Sequence, residues 1–207
     1  MKFLNRLKYA LYILKHPFDG FWCLKSEKIG TIGSALTMLA LFFVTMVIRL
    51  YTTSYLVSTV DLISFSIWML LGLIVGVYLL YSIANWSITT LLTGSGSFKD
   101  ILISVAYSLT PMTIINIPLA ILSQVIVNEE IAFFTFFNVV AIVYTVFLIL
   151  ASNMQIHEYT FVKSICTVIM TVLAIVLIVV IAILFINLVQ QVWTFILSII
   201  KEISFRL

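Results

Sequence analysis

Charge is what this sequence lacks. Of its 207 residues only 9% are Asp, Glu, Lys or Arg, against about 25% in an average soluble domain. A soluble core needs charged faces around it, so a water-soluble globular fold is excluded. No Asp or Glu lies inside the long apolar runs. That removes an intramembrane aspartyl dyad, and ion-driven pumping or voltage sensing, which need buried charge. Cysteine and histidine are limited to two each, scattered singly as Cys23, Cys166, His16 and His157, so no zinc-ligand spacing exists. There is no P-loop, no dinucleotide fingerprint and no basic patch interleaved with aromatics, so no nucleotide cofactor and no nucleic acid is implied. Gly94-Ser95-Gly96-Ser97 invites a serine-hydrolase reading, but no histidine base is placed beside it by sequence context. A turn with Ser97 as N-cap ahead of Asp100 explains it better. Catalysis and cofactors are therefore not expected.

What is present is hydrocarbon. Uncharged runs cover 29–48, 62–98, 101–128, 131–157 and 164–200. About 20 apolar residues cross ~30 Å of bilayer. The expected fold is all-α, a polytopic integral membrane protein with spans near 29–49, 66–88, 101–127, 131–152 and 165–189. Trp68 and Trp86 stand ~27 Å apart on a helix, about the separation of the two interfacial aromatic belts. Gln190, Gln191 and Trp193 mark the far interface of the last span. Residues 1–28 read as a basic amphipathic cytoplasmic segment, 29–190 as the five-helix domain, and 191–207 as an amphipathic C-terminal tail. In the first segment Phe3, Leu4, Leu7, Leu11 and Leu14 form a helical stripe that Pro17 and Gly20 bring to an end.

Lys and Arg set the orientation. With the N-terminus inside, the inner segments hold eight of the eleven, while Arg49, Lys201 and Arg206 lie outside and the outer loop of Glu129 and Glu130 carries none. The expected topology is a cytoplasmic N-terminus and an external C-terminus, with both cysteines free on the reducing side.

Three features stand out inside the spans. Gly72 and Gly76 form a GxxxG pattern, which serves either an oligomer interface or packing within one subunit. In the third span Pro111 and Pro118 fall on nearly one face, and each frees a carbonyl four residues back, at Tyr107 and Ile114. With Asn116 between them, the kink is either a substrate site at mid-depth or a bend around neighbouring helices. Asn138 lies at a similar depth, which suggests an Asn116–Asn138 interhelical hydrogen bond of about 0.6–1.7 kcal/mol.

Ala106-Tyr107-Ser108-Leu109-Thr110-Pro111 resembles the Gly-Tyr-x-x-x-Pro signature of the Yip family, five-span proteins named for interaction with Ypt/Rab GTPases. The stretch from Leu91 to Asp100 resembles the linker before that signature. His16-Pro17-Phe18-Asp19-Gly20-Phe21-Trp22, followed by Glu27-Lys28-Ile29-Gly30, is similar to the bacterial-type branch. Eukaryotic members carry a long cytosolic region with an Asp-Leu-Tyr-Gly-Pro motif. Here 28 residues precede the first span, so a Rab-type GTPase is not an expected partner. The resemblance implies a bacterial plasma-membrane protein, and such relatives are often encoded beside sugar-type ABC transporter components.

The expected function is a non-catalytic scaffold or accessory subunit that sits in the lipid bilayer and binds other membrane proteins, an ABC-type transporter among them, or itself as a homo-oligomer. The candidate surfaces are the Gly72/Gly76 face, the kink around Tyr107, Pro111, Asn116 and Pro118 with Asn138, and the basic inner face with Trp22 and Lys25. The alternatives are a transport protein with its own path along the kinked third helix, and a membrane-shaping or lipid-handling protein driven by its amphipathic ends.

Overall fold

The structure, a computed structural model, describes residues 2–54, 66–127 and 130–206; Glu129 of the acidic loop lies outside them. The elements run α1 (Lys2–Lys15), α2 (Pro17–Ser26), α3 (Ile32–Thr52), α4 (Ile67–Leu91), α5 (Phe98–Ser108), α6 (Thr110–Val125), α7 (Ile131–His157) and α8 (Phe161–Arg206). No strand occurs among the described residues. Among the described residues five segments are long and apolar enough to cross a bilayer: Ile32–Thr52, Ile67–Leu91, Phe98–Val125, Ile131–His157 and Phe161–Ile199. The chain is an all-α, multi-pass membrane protein. The α5–α6 span sits centrally between α3, α4 and α7, while α8 lies at the edge, mainly against α4.

Local chemistry sets the ends. The first span starts at Ile32 rather than residue 29 because Thr31 and Ser34 form a capping box, which satisfies two orphan amides of the first turn. The expected Ser97 cap is present, paired with Asp100 in a second capping box. The fourth span extends five residues beyond 152 and stops where Glu158 turns left-handed, at φ 57°. The last helix runs unbroken through Gln190 and Gln191 to Arg206, since glutamine is a good helix former. The tail beyond 190 is thus the same rod as the span.

Pro17 differs from expectation. It opens α2 at the first helical position rather than only ending α1, a position where its missing N–H costs nothing. Gly20 lies buried within α2, and a Cβ there would come within 2.8 Å of Ile13 Cγ1 and 3.1 Å of the Ile13 backbone. The glycine therefore lets α1 and α2 close on each other. Ala10 and Ile13 are buried, and Tyr144 of α7 donates its hydroxyl proton to the Leu14 carbonyl. Ala10 and Ile13 thus pack into the bundle, whereas Leu11 of the expected stripe is exposed.

The third span breaks at Leu109, between α5 and α6. Pro111 sits in the first turn of α6, while Pro118 lies inside α6 without interrupting it. The Tyr107 carbonyl freed by Pro111 is taken by the Thr110 hydroxyl. Thr110 is buried, so Thr110→Val removes that donor at nearly constant shape. It should lower stability by about 1–2 kcal/mol, read as a Tm lower by roughly 2–8 °C in detergent. An unchanged Tm would mean that the Leu109 amide, which also points at this carbonyl, satisfies it alone.

Candidate functional site

Polar contacts gather in three places. The first is the face that carries α1 and α2. Lys25, near the end of α2, donates to Ser95 Oγ at 2.7 Å and pairs with Glu158 Oε1 at 2.8 Å. Ser95 Oγ also donates to the Ile156 carbonyl at 3.2 Å. The turn between α4 and α5 is thereby tied both to α2 and to the end of α7. Its two glycines explain how it gets so close. A Cβ at Gly94 would stand 2.4 Å from His157 Nδ1, and one at Gly96 would stand 2.4 Å from Ile156 Cγ2. The Gly96 amide donates to His157 Nδ1 at 3.4 Å, and the imidazole stacks on Tyr159, with centroids 5.4 Å apart. Tyr159 donates to the Thr89 and Leu92 carbonyls, while Lys163 caps Leu92 and lies over the Tyr159 ring at 4.0 Å. Glu158 is solvent-exposed, and the Lys25 ammonium beside it holds its carboxyl below the ordinary value of 4.5. Trp22 is more than half exposed on α2.

The second cluster lies toward the opposite face. Arg49 of α3 turns inward, and one terminal guanidinium nitrogen donates to Asn116 Oδ1 and to Asn138 Oδ1, each at 3.0 Å. Asn116 donates in turn to Thr45 Oγ1 at 3.3 Å. The guanidinium carbon lies 5.3 Å from the centre of the Phe134 ring, within cation–π range. The two asparagines do not bond each other as expected; both side-chain oxygens accept from Arg49 instead. One cation thus joins α3, α6 and α7. Asn116 is fully buried and engaged, so the kink offers it as a clamp member.

The third is an amide pair between α4 and α7. Asn85 Nδ2 lies 3.3 Å from Asn153 Oδ1, 3.3 Å from the Tyr81 hydroxyl and 3.5 Å from Thr171 Oγ1 of α8.

Sequence reasoning placed Lys25, Asn116 and Asn138 among the candidates, and each sits in a contact network. Tyr107 is fully buried and Pro111 is buried beside the break. Gly72 and Gly76 behave otherwise. A Cβ at either would meet nothing within 4 Å, and both lie on the exposed side of α4. They are not packing glycines within the described fold. Four functional side chains were missed. Arg49 was counted as a topology charge, although an arginine three residues before a helix end can reach back into the bundle. Asn85, Asn153 and His157 were not linked, yet Asn153 and His157 stand four apart on one face of α7, a signal present in the sequence.

A family model described as Yip1 domain matches residues 11–184. No curated protein matches the chain, and no solved structure does.

Two outcomes follow from these contacts. Asn116→Leu should cost about 1.5–3 kcal/mol, because it strips a charged donor of a buried acceptor. In an Arg49→Met background the same change should cost clearly less, as coupled partners do. Thermal unfolding of the four proteins in bicelles measures the difference, and additive losses would refute the clamp. A carboxyl held below its ordinary value contributes its contact above that value and loses it as pH falls through the native one. Hydrogen exchange in the 92–97 turn, corrected for intrinsic rate, should therefore rise as pH falls below 4.5. Glu158→Gln should remove that dependence.

Proposed function

The chain belongs to the Yip1 domain family, and from that premise we propose that it is a non-catalytic scaffold or accessory subunit that binds another membrane protein. The observation that supports this most is the length of α8. Its apolar part, Phe161–Ile199, has 39 residues, or ~58 Å of helix. A span tilted by 40°, the steep end of the usual range, buries about 39 Å in a ~30 Å hydrocarbon layer. Some 20 Å of apolar helix is left over by that geometry. From residue 179 to 199 every side chain of α8 is exposed. Water contact along that length is costly, and a membrane-protein partner removes it.

The exposed Gly72/Gly76 face of α4 supplies a second surface of the kind on which helices approach closely. The distribution of Lys and Arg favours a cytoplasmic N-terminal face. The resemblance to bacterial-type members supports a plasma-membrane location, with an ABC-type transporter as the partner class. A substrate path along the third span is less well supported, because Asn116 already serves Arg49 and Thr45.

The test is recovery of the tagged full chain from its native membrane in mild detergent. One membrane-protein partner is expected in stoichiometric amount. Gly72→Ile with Gly76→Ile, or Leu188→Ser with Val192→Ser, should cut its recovery roughly tenfold, the loss of about 1.4 kcal/mol of binding. Recovery of the chain alone, or a partner unaffected by either pair, would overturn the reading.

A further inference from the structure

The path of α2 runs into the bundle, not across its face. Lys25, near the C-terminal end of α2, meets Glu158, just past the end of α7, at 2.8 Å. Seven residues earlier the Phe18 ring meets Phe147 edge-on, with centroids 6.1 Å apart. Earlier still, the Leu14 carbonyl accepts from the Tyr144 hydroxyl. Leu14 also lines a cavity with Pro111, Ile114 and Val140. On the other side α1 folds back on α2: Ile13 abuts Gly20, and the Tyr9 hydroxyl donates to the Gly20 carbonyl at 2.9 Å. The two helices form a hairpin that turns at Lys15 and His16.

Tyr144 is the middle residue of α7, ~20 Å from either end of a helix ~40 Å long. Wherever a ~30 Å hydrocarbon layer falls along that helix, Tyr144 lies at least ~10 Å inside it. The third span gives the same depth, since Pro111 stands ~20 Å from the start of α5. Lys15, His16 and Asp19 are exposed at this level. Among the described residues neither Lys15 nor Asp19 has a hydrogen-bond or ion-pair partner. Two unpaired charges of opposite sign in hydrocarbon are costly, and such residues mark function more often than structure.

We propose that the tip of the hairpin receives zwitterionic phospholipid headgroups within the bilayer, so that the protein speeds their passive passage between leaflets. The Lys15 ammonium answers the lipid phosphate, and the Asp19 carboxylate answers its ammonium, both as charge-assisted contacts. What slows a headgroup is the desolvation of its charges in hydrocarbon. A headgroup that starts from the tip has at most ~20 Å of the layer left to cross. The proposal goes beyond the scaffold reading and does not rest on it.

The test uses the purified full chain in phosphatidylcholine–phosphatidylglycerol vesicles sealed to dithionite. Phosphatidylethanolamine carrying a nitrobenzoxadiazole on its acyl chain, which leaves the headgroup intact, is the probe. Dithionite should bleach the probe of both leaflets when the protein is present, and of the outer leaflet alone when it is absent. Phosphatidylglycerol with the same fluorophore offers no ammonium to Asp19 and should cross more slowly. Lys15→Leu with Asp19→Leu should slow crossing roughly tenfold, as the loss of one charge-assisted contact does. These side chains touch nothing in the fold, so the Tm of the double variant should not fall. Depth is read separately, from His16→Cys labelled with bimane after Cys23 and Cys166 are changed to serine. Nitroxides at mid-chain should quench it more than nitroxides at the headgroup. Bleaching confined to the outer leaflet, equal crossing of the two lipids, indifference to the double variant, or stronger quenching from the headgroup level would each overturn the proposal.

Discussion

Hydrocarbon offers a polar group nothing, so each one inside the bilayer must be answered from within the protein. Most of this structure is a set of answers to that demand. Serine and threonine hydroxyls bond back to carbonyls three or four residues earlier, as at Thr45, Ser82, Ser104, Ser108, Thr145 and Thr171. Thr110, together with the Leu109 amide, covers the carbonyl that Pro111 exposes, so the central span breaks at Leu109 without leaving that acceptor bare. Arg49 makes the largest such demand, and two other helices, α6 and α7, meet it with two amide oxygens and a ring face. A charge that requires partners from α6 and α7 also specifies how those helices must sit against α3.

The same demand operates in reverse at the face carrying the two N-terminal helices. There water is near, and the contacts are strong ones made by exposed or half-exposed groups. Lys25, Ser95, Glu158 and the His157–Tyr159 stack join three separate stretches of chain. Gly94 and Gly96 let backbone approach an imidazole more closely than any side chain would permit. Exposed ion pairs contribute little stability. Their value here is positional, since they hold α2 across the turns of α4–α5 and α7–α8.

Much of this was legible in the sequence. The five spans follow from missing charge, and the Ser97 cap follows from Asp100 three residues on. The ends were harder, because an apolar run says where a helix is affordable, whereas Thr31 and Glu158 decide where it begins and stops. Pro17 was read as an end, whereas it also opens α2, which packs on Ile13 through Gly20. Gly72 and Gly76 looked like packing residues, and only the fold reveals that no helix of the described chain comes near them. The role of Arg49 was hidden because its partners lie 67 and 89 residues away, a separation that no local pattern encodes. The Asn85–Asn153 pair was hidden for the same reason.

Because α8 is one helix of 46 residues, ~69 Å long, it is also a lever. Its foot is fixed by the buried Ser164, Thr167 and Thr171, which pack near the Asn85–Asn153 pair. A tilt of about 5° at that foot moves the far end by ~6 Å, since a rigid helix transmits rotation along its length. A change too small to alter any helix of the bundle would thus be read as a displacement of several ångströms at the far end of α8.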